Sequence, residues 1–172
     1  MLRVRGQDRP AGPLADASAF RFAVIVSRFN EEVTGGLRDA AVAALKEAGA
    51  ADAAVQLFSV PGAFEIPQAA RAAAESGRFD AIVCLGCVIR GETPHFEYIA
   101  SAVAHGITEA AGETGVPMAF GVLTTDTAEQ AAARSGPGAD NKGREAAAAA
   151  IEMAALYKAL AGGSNRPFGF RA

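Results

Sequence analysis

The chain has 172 residues, is 51% hydrophobic and carries a formal charge of −3 from 16 basic and 19 acidic residues. That size and apolar content suit one globular domain with a full core, and the acidic balance leaves no basic face for nucleic acid. No apolar run is long enough to span a bilayer and the N-terminal stretch lacks the hydrophobic centre of a secretory signal, so a soluble, cytoplasmic protein is expected.

Residues 1–19 hold several arginines and prolines without periodicity and read as a flexible arm; the domain is expected over 20–161, and 162–172 as a flexible tail. "RFAVIVS" (21–27) predicts a first strand. Asn30 then offers an N-cap to a helix over 31–48, where Val33, Leu37, Ala41, Ala44 and Leu45 recur at helical spacing and Gly49 stops the run. Gly35 and Gly36 each cost that helix about 1 kcal/mol against alanine, which points to close packing against an element the sequence does not identify. "AAVQLFSV" (53–60) is the second strand, "PGAF" (61–64) a turn, and 65–77 an alanine-rich helix. "FDAIVCLGCVI" (79–89) is the third strand, followed by a long helix over 94–115 with Pro94 suited to the first turn. "PMAFGVLTT" (117–125) is the fourth strand. Asp126 with Glu129 resembles a capping box for a short helix that halts at "SGPG", and Asn141 caps a last helix to about Leu160. Strands alternating with helices across short turns predict a four-stranded parallel sheet covered on both faces, a three-layer α/β/α sandwich.

Cys84 and Cys87 form "CLGC", but in a strand residues three apart point to opposite faces, so they read as two small buried side chains and no metal is expected. In open parallel sheets ligands bind beyond the carboxyl ends of the strands. The segments there are "RFN", "PGAFE", "RGETPH" and "TTDT". His95, at a helix start, is either a capping or exposed histidine or a general acid and base; its position alone favours the first. Thr93 and the main-chain N–H groups of "GETP" suit a phosphate, against which Glu92 sets a like charge. Phe29 is either a hydrophobic staple or a ring for stacking, with Asn30 beside it as an edge reader. Glu65 equally suits a helix start or a polyol. Arg134 and Lys142 are cations on the last helices, suited to phosphate or to a solvated face. A place near a helix C-terminus is by itself a sufficient reason for Arg134; eight residues of helix carry it about 12 Å from the carboxyl edge, so if it works on a ligand, a neighbouring subunit's pocket is the place.

"RFN", "VPGAFEIP", "GCVIRGETPHFEY", "FGVLTTDTAEQA" and "NKGREAAAAAIEMA", in this order and spacing, resemble the 6,7-dimethyl-8-ribityllumazine synthase family over residues 20–160. The resemblance implies a flavodoxin-like fold and a cofactor-independent condensation of 5-amino-6-(D-ribitylamino)uracil with 3,4-dihydroxy-2-butanone 4-phosphate, the penultimate step of riboflavin biosynthesis. It further implies that Phe29 stacks on the pyrimidinedione and that Ala63, Phe64 and Glu65 line the ribityl pocket near Asn30. Cys87, Val88 and Ile89 then present main-chain groups to the heterocycle, Glu92 and Thr93 belong to the phosphate turn, and His95 transfers protons. Arg134, Phe120 and Lys142 come from the adjacent subunit of a homo-oligomer, a pentamer or multiples of it up to an icosahedral capsid. The alternative is a non-catalytic lumazine- or flavin-binding shell protein, which needs the ring pocket but neither His95 nor Arg134; a riboflavin synthase of archaeal type shares the general architecture.

Overall fold

A computed structural model of the protein describes residues 13–162. Four strands, β1 (Phe22–Ser27), β2 (Val55–Val60), β3 (Ala81–Ile89) and β4 (Met118–Thr125), form one all-parallel sheet in the order β2-β1-β3-β4. Five helices connect and follow them: α1 (Glu31–Glu47), α2 (Ile66–Glu75), α3 (His95–Thr114), α4 (Ala128–Ser135) and α5 (Lys142–Gly162). Short 3-10 turns at Asp52–Ala54 and Ala63–Glu65 precede β2 and α2.

Two apolar clusters separated by the sheet make the three layers. Leu37 and Leu45 of α1, Ala131 of α4 and Ile151 of α5 pack with Val24, Val83 and Leu85 on one face. Ile66 and Ala70 of α2 and Val103 and Ile107 of α3 pack with Ile25, Ile82 and Cys84 on the other. The expectation of strands buried on both faces holds at the centre of the sheet, where all six residues of β1 and the first seven of β3 are buried. It does not hold for β2, an edge strand that leaves Leu57 53% exposed. Cys84 and Cys87 fall in different clusters, on opposite faces, and burial pushes their thiols up to about 12 and about 11, so both stay protonated and unreactive.

Residues 13–19, which the sequence assigns to the arm, pack against the domain: Ala17 is fully buried and its N–H donates to the Ala48 carbonyl at 2.8 Å. Residues 1–12 and 163–172 lie outside the described residues. The cap of α4 is Thr127, one residue later than expected: its hydroxyl accepts from the Gln130 N–H at 3.2 Å, and Gln130 Oε1 accepts from the Asp126 N–H at 3.0 Å. Asn141 does precede the last helix, its Oδ1 accepting from the Gly143 N–H at 2.8 Å. Its Nδ2 meanwhile donates to the Ser135 and Gly136 carbonyls at 2.8 and 2.9 Å, so one buried amide closes the end of α4 and opens α5.

The packing partner of the glycine pair in α1 is now visible. A Cβ on Gly36 would collide with the Ser135 carbonyl oxygen, whereas one on Gly35 would meet only the tip of Arg38, 3.8 Å away. Gly36→Ala should therefore destabilise the fold by about 2 kcal/mol through overpacking. Gly35→Ala should add about 1 kcal/mol from helix propensity. Thermal unfolding of the two variants at equal protein concentration checks this; equal shifts would refute the contact.

Candidate active site

The site is built on an offset in the sheet. β1 pairs with β3 only as far as Val26 opposite Leu85, but β3 and β4 continue together to Ile89 opposite Thr125. Strand order also reverses direction here, because the chain moves from β1 outward to β2 and then crosses back to β3, the switch point at which parallel sheets open a crevice. Along β3 the main-chain groups alternate between neighbours: Ala81 N–H donates to Arg21 on the β1 side, Ile82 N–H to Pro117 and Arg90 N–H to Thr125 on the β4 side. Odd residues thus face β1 and even ones β4. Cys87 and Ile89 turn their amides and carbonyls to the side where β1 has ended, while Val88 stays in the ladder with Thr124. Below the step the sheet is closed: a Cβ on Gly86 would lie 2.8 Å from Ile66 Cδ1 and 3.3 Å from the buried Ser27 Oγ, a hydroxyl with no hydrogen-bond partner among the described residues.

Loops from three strands border the step. Asn30 takes a left-handed conformation (φ 59°, ψ 52°) and makes no side-chain cap to α1, contrary to its N-cap reading. Its Nδ2 instead donates to the Cys87 carbonyl at 3.0 Å, tying the end of β1 to the projecting part of β3. That turn presents Phe29 outward, 71% exposed, so the ring is not a staple packed on α1. After β2, Ala63 is buried and Phe64 half-exposed. Glu65 Oε2 accepts from the Gly62 N–H at 2.9 Å, which commits one carboxylate oxygen to the turn that positions both. After β3 come Glu92 and Thr93, then His95 as the first residue of α3, all exposed. Phe29, Asn30, Ala63, Phe64, Glu65, Cys87, Val88, Ile89, Glu92, Thr93 and His95 therefore share one edge of the sheet. The edge combines flat aromatic surface, main-chain donors and acceptors, an imidazole and a helix start, a set suited to a planar polar ring joined to a polyol and to an anion.

Residues 19–158 match the family model described as 6,7-dimethyl-8-ribityllumazine synthase. A protein of that name from Syntrophus aciditrophicus (strain SB) is 51% identical over 144 residues, covering 84% of this chain and 94% of its own. The chain belongs to the lumazine synthase family.

The other three residues implied by the resemblance lie away from this edge. Phe120 sits in the first half of the edge strand β4, paired with Cys84, and is 47% exposed. Arg134 stands in the last turn of α4, its Nη1 donating to the Gln130 carbonyl of its own helix at 2.9 Å. Lys142 begins α5 and pairs with Glu145 at 2.7 Å. Arg90 was not singled out from the sequence, yet it bridges Asp126 and Glu97 across the site's edge. A basic residue at a strand end with an acid in the next helix's first turn was the available signal.

Proposed function

We propose that the carboxyl-edge site condenses 5-amino-6-(D-ribitylamino)uracil with 3,4-dihydroxy-2-butanone 4-phosphate to 6,7-dimethyl-8-ribityllumazine, releasing phosphate and water. The observation that carries this reading is the step in the sheet. It leaves the Cys87 N–H and the main-chain groups of Ile89 facing a gap bordered by Phe29 and Asn30, where the pyrimidinedione edge can pair while its face stacks on the ring; the Cys87 carbonyl is held by Asn30. The ribityl chain then runs toward Ala63, Phe64 and Glu65, and Val88 shapes the pocket through its partly buried side chain. The phosphate takes the turn of Glu92 and Thr93, at the start of α3.

His95 stands between ring and phosphate. The 5-amino group adds to the ketone and loses water to give an imine, phosphate is eliminated, and the ribityl-bearing nitrogen closes the second ring with loss of water. Each step moves a proton that an imidazole can take or return. Holding two substrates face to face contributes most of the remaining acceleration. Arg134, Phe120 and Lys142 serve the site of an adjacent copy, with Arg134 on the phosphate. A pentamer of this chain, in the cytoplasm, satisfies that geometry and covers apolar surface that a lone chain exposes at Leu57, Phe120 and the α5 stripe of Met153, Leu156, Tyr157 and Leu160.

Mixing the purified protein with both substrates should give a product with the lumazine mass and one inorganic phosphate for each product formed. No product above the spontaneous reaction, together with tight lumazine binding, would leave a non-catalytic binding protein.

A further inference from the structure

Arg90 follows β3 directly and is held from four directions. Its Nε donates to Asp126 Oδ1 at 2.7 Å, its Nη1 to Glu97 Oε1 at 3.2 Å, its main-chain N–H to the Thr125 carbonyl at 2.8 Å, and its guanidinium lies 4.5 Å above the Phe96 ring. One side chain thus joins the turn after β4 to the first turn of α3, and the loop it closes contains Gly91, Glu92, Thr93, Pro94 and His95. Residues 91–95 themselves make no side-chain hydrogen bond or ion pair among the described residues. Their placement depends on the anchors at either end.

The charge of Arg90 is already matched by two carboxylates, so it is poorly suited to receive a phosphate. Its fork is the important feature: nitrogens in a fixed plane reach two acids on different elements, which the single ammonium of lysine does not reproduce. Such exposed pairs add little to stability, which leaves geometry as their main product. We propose that Arg90 is a positioning residue for the condensation: by tying Asp126 to Glu97 it holds the 91–94 turn and His95 in working register. The inference rests on the activity proposed for this same site.

Two variants separate positioning from direct phosphate binding. Arg90→Lys keeps the charge and loses the fork; Glu97→Ala with Asp126→Ala keeps the arginine and removes both anchors. Both should lower kcat roughly 10- to 100-fold, the range expected when reacting groups drift by about 1 Å. The KM for the uracil substrate and the unfolding midpoint should stay near wild type. By hydrogen-exchange mass spectrometry the peptide over 90–98 should exchange roughly tenfold faster in both, with β3 unchanged. A double variant that binds the phosphate substrate more tightly at undiminished kcat would make Arg90 a direct anion contact and overturn the proposal, as would wild-type exchange over 90–98 in Arg90→Lys. A wild-type protein that forms no lumazine would refute the proposed activity, while the exchange comparison would still decide whether Arg90 holds the turn.

Discussion

His95→Ala is expected to lower kcat by roughly 10²- to 10⁴-fold, the contribution typical of a positioned acid and base, while both KM values stay close to wild type. The reason lies in where the residue stands. His95 is exposed, begins α3 and makes no side-chain hydrogen bond or ion pair in the described structure, so its loss leaves the fold and the bordering contacts of Phe29, Asn30 and Glu65 intact. The imidazole supplies ring nitrogens that can take and return a proton at this edge. Steady-state formation of the lumazine chromophore at saturating substrate measures the effect. Unchanged kcat would remove His95 from the mechanism, and a loss confined to KM would make it a binding residue.

Arg134→Ala is expected to raise the KM for the phosphate substrate roughly 10- to 100-fold, the value of a charge-assisted hydrogen bond lost from a phosphate, with little change for the uracil. Arg134 is exposed and its hydrogen bond to a protein group is to the Gln130 carbonyl of its own helix, so the guanidinium is available to a ligand brought by another copy. A helix of eight residues runs from beside the carboxyl edge to Ser135, which moves the arginine away from the His95 of the same chain. Substrate-dependence curves for each substrate in turn distinguish the outcomes. An effect on the uracil alone would refute the assignment to phosphate.

What was legible in the sequence, and what was not, follows the range of the interactions. β1 and β3 read correctly because central parallel strands are apolar throughout, and α3 matched to within a residue at each end because Pro94 and Gly115 bound it, the latter in the left-handed conformation at φ 69°. The carboxyl-edge cluster was visible once four strands had been placed, since topology alone collects the segments that follow them. Asn30 shows the limit. Its local pattern signals an N-cap, but a left-handed turn redirects the amide to Cys87, 57 residues away, a partner no window around Asn30 contains. The α4 cap failed for a different reason: Asp126 with Glu129 and Thr127 with Gln130 are overlapping signals one residue apart, and only backbone geometry selects between them. Gly36 announced a close contact without naming Ser135, and the offset that opens the crevice depends on register between strands that sequence patterns do not specify.

The central claim is that one pocket is assembled from two copies, with His95 from one and Arg134 from the next. Its most direct test mixes denatured His95→Ala and Arg134→Ala proteins in equal amounts, refolds them together, and assays lumazine formation at phosphate-substrate concentrations well below the Arg134→Ala KM. Random assembly restores a complete pocket at about one interface in four, so activity should rise to roughly a quarter of wild type although each parent alone stays nearly inactive. A refolded mixture no more active than its parents would place both residues in the same chain's site and contradict the shared pocket.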